Sequence, residues 1–134
     1  MKKILFILIF LNINLFSSEN YELKLYEKIL PIIFKTDRLI VYTDKYSQEI
    51  FKNSKVFSLV SSCEKATIII GKNFEKSCQK KPLFSTSYRS FENSKNSFGV
   101  FYWRNGVPNI MFNSKNIKRF HLFLPQSLKK YEKQ

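Results

Sequence analysis

The feature that most constrains the fold is a β-hairpin signal in the C-terminal half of the chain. Two strand-like segments, residues 98–104 and 107–113, flank the dipeptide Asn105-Gly106. Asn-Gly is the preferred pair for a two-residue type I′ turn, in which both central residues adopt positive φ. The turn also fixes the pairing of the two strands: Arg104 with Val107, Trp103 with Pro108, Tyr102 with Asn109 and Phe101 with Ile110.

This register predicts which hairpin side chains face the core and where the hairpin lies in the sheet. Successive side chains point to opposite faces of a strand, so one face collects five apolar residues: Phe101, Trp103, Pro108, Ile110 and Phe112. We expect this face to be buried. Pro108 has no N–H to donate to a further strand, which predicts that the second strand of the hairpin lies at a sheet edge.

The rest of the chain alternates between helical and strand-like segments. Residues 21–34 carry apolar side chains at helical spacing, and Pro31 should kink or divide that helix. Apolar runs predict strands at 39–42, 56–60, 67–70 and 83–85, and further helices are expected at 45–53, 114–120 and 125–131. Residues 88–93 are expected to form a short helix or a loop. Thr43 and Asp44 can cap the helix at 45–53, whose apolar face would be Tyr46, Ile50 and Phe51.

The length of 134 residues suits one domain, and the 44% hydrophobic content is enough for a packed core. Only a short segment separates the strands at 56–60 and 67–70, whereas a crossover between parallel neighbours needs a dozen residues or more. These two strands are therefore not expected to form a helical crossover unit. We predict an α/β fold: a single three-layer-like domain over residues 19–134, with a mixed, mainly parallel sheet, a C-terminal β-hairpin and a C-terminal helix.

The N-terminus has the pattern of a secretory signal peptide. Lys2 and Lys3 precede an apolar run at residues 4–16, and two small residues follow it. A membrane-spanning helix needs about 20 apolar residues, so this run is too short to span. We assign residues 1–18 to a cleaved signal peptide, rather than to a retained anchor, and predict a periplasmic protein.

The chain has two cysteines, Cys63 and Cys78, which permit one intramolecular disulfide. An oxidising compartment outside the cytoplasm would allow them to pair. We favour a structural disulfide over a redox switch, because no neighbouring residue indicates an activated thiolate.

The order of elements resembles that of the YfiR-like periplasmic regulators. The matching positions are Cys63 before the segment 67–71, Gly99 in the hairpin, and Phe112-Asn113 leading to Leu122, Leu124, Ser127 and Leu128. The chain departs from that family in lacking a Trp-Pro pair after the first helix. The resemblance implies a non-enzymatic domain that controls a membrane-bound signalling partner. The elements are also similar to a single lobe of a periplasmic solute-binding protein.

Motifs for catalysis are missing from the sequence. It has no glycine-rich phosphate loop, no Gly-x-Ser-x-Gly elbow and no His-Glu-x-x-His pattern. The single histidine, His121, lies in an aromatic and apolar stretch, where a packed side chain is the simpler interpretation. Asp44, next to Thr43, is better explained as a helix cap than as half of a carboxylate pair. We expect no enzymatic activity, no cofactor and no metal site.

One polar cluster follows a predicted strand and suggests a site for a small anion. Hydroxyls, backbone N–H groups and an arginine meet there, and ligands of open α/β sheets bind beyond the carboxyl ends of the strands. The candidate ligand-binding residues are Ser85, Thr86, Ser87 and Arg89, with Thr43 and Lys72 at comparable strand ends. The alternative, which we favour, is that these hydroxyls cap helices and stabilise turns.

A second candidate is a partner surface on the other face of the hairpin, formed by Tyr88, Tyr102 and Arg104. Aromatic and arginine side chains are enriched at protein interfaces. The tyrosines would be unavailable to a partner if they packed against the C-terminal helix, and spacing alone does not decide between the two arrangements.

The formal charge of +13 is concentrated in the C-terminal half, where residues 72–134 hold 13 basic and 3 acidic residues. Export argues against nucleic acid as the partner. We therefore predict an exported binding or regulatory domain that contacts a membrane-bound signalling or transport protein. The alternatives are a periplasmic lobe that binds a small anion or solute for transport or sensing, and a basic protein that adheres peripherally to the membrane surface.

Overall fold

The computed structural model describes residues 18–133, with side chains from Tyr21 onward. The helices are α1 (Ser18–Phe34), α2 (Gln48–Phe51), α3 (Tyr88–Asn93) and α4 (Ser114–Arg119). The strands are β1 (Leu39–Thr43), β2 (Phe57–Leu59), β3 (Ile68–Gly71), β4 (Leu83–Ser85), β5 (Ser97–Arg104) and β6 (Val107–Phe112). Short 3₁₀ helices cover Cys63–Lys65, Lys76–Lys80 and Gln126–Tyr131.

The predicted signal peptide at residues 1–18 lies outside the described residues, apart from Ser18, which begins α1. Within residues 18–133, no helix has the length and apolar character needed to cross a membrane.

The strands form one sheet in the order β2-β1-β3-β4-β5-β6. Neighbours from β2 to β5 are parallel, and β6 is antiparallel to β5. The prediction of an α/β domain with a mixed, mainly parallel sheet is confirmed. Strand β1 lies between β2 and β3, so the connection from β2 to β3 crosses about two strand spacings, or 10 Å. A few extended residues can span this distance without an α-helix.

One face of the sheet is covered by α1, and we call it the helix face. Tyr26, Leu30 and Ile33 of α1 are completely or almost completely buried. They pack against apolar side chains from the central strands and the hairpin: Leu39, Val41, Ile68, Ile70, Phe84, Phe101 and Phe112. Burying a side chain of this size contributes about 1.5–3 kcal/mol, so the contact between α1 and the sheet contributes substantially to stability.

Pro31 does not divide α1, because it lies in the last turn of the helix. Beyond it, the backbone N–H groups of Lys35 and Thr36 donate to the carbonyl oxygens of Ile32 and Pro31 at 3.3 and 3.0 Å. Lys35 adopts a φ of 54°, the left-handed conformation that ends many helices. Pro31 cannot donate one backbone hydrogen bond within the helix. The loss of that bond does not interrupt the helix, which continues to Phe34.

The opposite face of the sheet, which we call the disulfide face, is covered by shorter elements. Cys63 and Cys78 form a disulfide with their Cα atoms 5.6 Å apart. The bridge joins two 3₁₀ helices and lies over Ile69 and Leu83 of the sheet. Helix α3 covers β4 and β5 beside it. The predicted disulfide and the three-layer arrangement are both present.

The hairpin has the predicted register at all four pairs, from Arg104 with Val107 to Phe101 with Ile110. Asn105 and Gly106 have φ angles of 52° and 77°, as a type I′ turn requires. The expectation that the whole apolar face is buried is only half right, because Trp103 is 39% exposed and Pro108 is exposed. The pairing of β5 with β4 ends at Val100, so the tip of the hairpin projects beyond the sheet.

Two predicted helices differ from the structure. Residues 45–47 form a turn, and only Gln48–Phe51 is helical, so Tyr46 is 86% exposed instead of lying on an apolar face. The carboxylate of Asp44 organises the turn: Oδ1 accepts a hydrogen bond from the N–H of Ser47 at 3.0 Å. The last predicted helix is a 3₁₀ helix, Gln126–Tyr131, with Pro125 at its N-cap.

Replacing Cys63 and Cys78 together by serine should lower the free energy of unfolding by about 3 kcal/mol, because the bridge closes a loop between residues 15 apart in the unfolded chain. Urea denaturation of the double variant and of the oxidised wild-type protein measures this difference. Wild-type protein treated with a reductant should behave like the double variant. Equal urea midpoints for all three samples would contradict a structural role for the disulfide.

Candidate functional site

The structure brings together three of the residues predicted to bind an anion. Strands β1, β3 and β4 are parallel, so the segments that follow them meet at one edge of the sheet. Lys72 follows β3. Ser87 immediately precedes α3, and Arg89 is the second residue of that helix. All three line a depression with a volume of about 510 Å³ on the disulfide face.

Ser85, in contrast, has a structural role. Its side chain is completely buried. Its Oγ lies 2.7 Å from the Oγ of Ser97 and 3.2 Å from the Oγ of Ser90, within hydrogen-bond distance of both. Ser97 in turn donates to the carbonyl oxygen of Gly99 at 3.1 Å. This chain of hydroxyls joins β4, β5 and α3 inside the domain.

Of the other predicted residues, Ser87 and Thr86 make local structural contacts and Thr43 lies elsewhere. The Oγ of Ser87 caps α3 by accepting a hydrogen bond from the N–H of Ser90 at 3.1 Å. Thr86 donates its backbone N–H to the carbonyl oxygen of Gly71 at 3.1 Å. Thr43 is buried and does not line the depression. The interpretation of these hydroxyls as caps and turn residues therefore holds for Ser87.

A second depression, of about 530 Å³, adjoins the first and shares four lining residues with it: Lys72, Asn73, Asn93 and Ser94. The two depressions form one continuous polar trough between the 3₁₀ helix Lys76–Lys80 and α3. Its basic residues are Lys72, Lys76, Arg89 and Lys95, and its acidic residue is Glu75. The excess of basic residues in this half is visible in the sequence, but Asn73, Lys76, Asn93 and Lys95 could not be assigned to one site because only the fold brings them together.

One wall of the polar trough is fixed by the carboxylate of Asp44. Its Oδ2 accepts a hydrogen bond from the backbone N–H of Lys72 at 2.8 Å, which ties the end of β1 to the end of β3. Gly71 makes this approach possible, because a Cβ atom there would lie 2.5 Å from that oxygen. The Lys72 side chain extends over Tyr46, with Nζ 5.4 Å from the ring centre.

The helix face carries a second concavity, an apolar groove that sequence analysis did not identify. It has a volume of about 560 Å³ and runs between α1, β6 and the 3₁₀ helix Gln126–Tyr131. Its apolar lining residues include Tyr21, Leu25, Ile29, Ile32, Pro108, Ile110, Leu128 and Tyr131. Lys28 and Lys130 also line it. The groove exists because α1 covers the central strands and leaves the flank toward β6 open.

The C-terminal segment is fastened to the sheet and so forms a fixed wall of the apolar groove. The backbone N–H of Lys133 donates to the carbonyl oxygen of Phe112 at 2.8 Å. Its Nζ lies 2.6 Å from Oε1 of Glu92 in an ion pair. This hydrogen bond from Lys133, together with one from Tyr88, lowers the pKa of the exposed Glu92 carboxyl, so the pair stays charged at neutral pH.

The predicted partner surface lies away from the apolar groove. The rings of Tyr88 and Tyr102 contact each other, with their centres 5.6 Å apart. Tyr102 thus packs against α3. Arg104 is exposed at the hairpin tip, two residues after Tyr102. The pair remains partly accessible, because Tyr88 is 40% exposed.

Neither concavity contains a constellation typical of an active site. His121 is exposed in a tight turn with a φ of 55°, and it lines neither the polar trough nor the apolar groove. Across residues 18–133, no group of three or more His, Cys, Asp or Glu side chains is arranged to hold a metal ion.

The hydroxyl chain leads to a stability prediction. Ser85→Ala should lower the free energy of unfolding by about 1–3 kcal/mol, because the hydroxyls of Ser90 and Ser97 each lose one hydrogen-bond partner inside the domain. The matched control is Ser77→Ala at an exposed position, which should change stability by less than about 0.5 kcal/mol. Equal urea midpoints for the two variants would contradict the structural role assigned to Ser85.

Comparison with known proteins adds evidence about the fold. No protein-family model matches the chain, and no curated protein matches its sequence. A solved structure, described as a conserved domain protein from Vibrio cholerae O1 biovar El Tor, superposes with a TM-score of 0.52 at 11% sequence identity. The match covers 87% of this chain and 60% of the Vibrio chain, so this chain corresponds to less than two thirds of that protein. At this identity the likeness shows a shared α/β fold alone.

Proposed function

We propose that this protein is an exported, non-enzymatic binding module that contacts a membrane-associated signalling partner. The sequence of residues 1–18, with Lys2 and Lys3 before an apolar run, supports export. The disulfide between Cys63 and Cys78 also supports it, since such bonds persist in oxidising compartments such as the periplasm. The resemblance to the YfiR-like regulators leads to the same expectation and stays a prediction.

The observation that carries the proposal is the apolar groove. Tyr21 and Ile32, at opposite ends of its α1 wall, are 47% and 49% exposed, and Tyr131 across the groove is 37% exposed. Isolated exposed apolar residues are ordinary, but a contiguous apolar concavity rimmed by polar groups marks an interaction site. Tyrosines at such a site supply large contact areas with little loss of conformational entropy.

The chemistry of the apolar groove indicates what kind of segment it receives. Lys28 and Lys130 line it, and within the described part of the chain none of its lining residues is acidic. We infer that the partner offers an amphipathic segment whose apolar side chains enter the groove and whose acidic residues face the two lysines.

The edge of β6 is a poor template for an added strand, which favours a helical segment as the occupant of the groove. Pro108 lacks an N–H group, and the carbonyl oxygen of Phe112 already accepts the N–H of Lys133. A partner strand could therefore not form a continuous ladder along the whole of β6. An amphipathic helix needs only the side-chain surface of the groove, because its own backbone is already hydrogen-bonded.

Site-specific photocrosslinking in the native host tests this proposal. A photoreactive phenylalanine derivative is placed at Tyr21 or Ile32, and the control carries it at Ile40, which is 43% exposed but belongs to a strand far from the groove. Both groove positions should crosslink to the same membrane-embedded protein, and Ile40 should not. Adding Lys28→Glu and Lys130→Glu should reduce the crosslink severalfold, because the lysines would no longer attract the acidic segment.

The proposal fails if the groove positions yield no crosslink, or if Ile40 yields the same product with the same efficiency. Circular dichroism of each labelled protein shows whether the fold is retained, so that loss of crosslinking is attributed to the groove and not to unfolding.

A further inference from the structure

We propose that the polar trough binds an acidic carbohydrate, a chain of sugar rings that carry anionic groups. This inference concerns the disulfide face, and it is independent of the apolar groove and of its membrane-associated partner. The two joined depressions measure about 510 and 530 Å³. Each is within the size range of small-molecule sites, and together they exceed what a single inorganic anion would fill.

The charge of the polar trough selects an anionic ligand. Among the described residues, four basic side chains line it, Lys72, Lys76, Arg89 and Lys95, against the one carboxylate of Glu75. In the part of the chain that the structure describes, the recorded ion pair joins Lys133 to Glu92, and none of these four cations takes part in it. Their charges are therefore available to anionic groups spaced along a ligand.

The remaining lining residues fit the hydroxyl groups of sugars. Asn73, Gln79 and Asn93 are exposed along the polar trough, and each amide both donates and accepts hydrogen bonds. A sugar hydroxyl has the same dual capacity, whereas an inorganic anion such as sulfate offers acceptors only. A trough lined by amides as well as cations is thus better matched to an acidic sugar than to an inorganic anion.

Tyr46 supplies a flat surface next to the basic residues. It is 86% exposed, and its ring lies under the ammonium group of Lys72 at 5.4 Å. An aromatic side chain this exposed gains little from packing within its own protein. Beside the polar trough, its ring can stack against the apolar face of a sugar while Lys72 contacts an anionic substituent.

The floor of the polar trough is rigid, which lowers the entropy cost of binding. The disulfide fixes Cys78, one of its lining residues, to the element that follows β2. Asn96 is buried at its base and donates Nδ2–H to the carbonyl oxygen of Lys81 at 2.8 Å. These contacts hold the 3₁₀ helix Lys76–Lys80 at a fixed distance from α3.

Isothermal titration calorimetry with three defined probes tests the inference: tetragalacturonate as an acidic oligosaccharide, maltotetraose as a neutral one and tripolyphosphate as an anion without sugar. At low ionic strength, tetragalacturonate should bind at least tenfold more tightly than the other two. The double variant Lys72→Glu/Arg89→Glu should weaken its binding about tenfold, because two attractions become repulsions. Tyr46→Ala should weaken tetragalacturonate severalfold and leave tripolyphosphate unchanged.

The matched control is Lys28→Glu/Lys130→Glu, which changes the net charge equally but lies in the apolar groove. It should leave tetragalacturonate binding within twofold of the wild-type protein. Absence of tetragalacturonate binding, equal affinity for tripolyphosphate, or equal loss in the control variant would each overturn the inference. The photocrosslinking experiment tests the groove separately, so the two proposals can fail independently.

Discussion

The packing of α1 against the sheet is the interaction on which the rest of the structure depends. Tyr26, Leu30 and Ile33 bury one side of the helix over the central strands. The helix is too narrow to cover a six-stranded sheet, since helices are about 10 Å across and strands are spaced by nearly 5 Å. The flank toward β6 is therefore left to the C-terminal segment, and the apolar groove is the space between them.

Much of the fold follows from local sequence signals. Asn105-Gly106 determined the hairpin register, the apolar run at 39–42 predicted β1, and the two cysteines had only each other to pair with. The failures are equally local. Tyr46 was assigned to an apolar helix face because of its spacing, but the Asp44 carboxylate stabilises a turn there and exposes the ring.

The candidate sites were less predictable than the fold, because they depend on contacts between distant segments. Lys72, Ser87 and Arg89 were predicted from the rule that ligands bind at the ends of parallel strands, and the fold places all three along the polar trough. Asn93 and Lys95 lie beside these residues only because α3 packs next to the disulfide, which could not be read from the sequence. The apolar groove unites α1 with residues about a hundred positions later in the chain, and Ile110, predicted as core, forms part of its wall.

We propose that the apolar groove holds the domain on a membrane-associated protein. This proposal is tested most directly by measuring the binding of the purified domain to membranes prepared from its native host, for the wild-type protein and for Ile32→Asp at the exposed α1 wall. The wild-type protein should sediment with the membranes, and both Ile32→Asp and prior protease treatment of the membranes should abolish this binding. Equal sedimentation of both proteins, before and after protease treatment, would contradict the account.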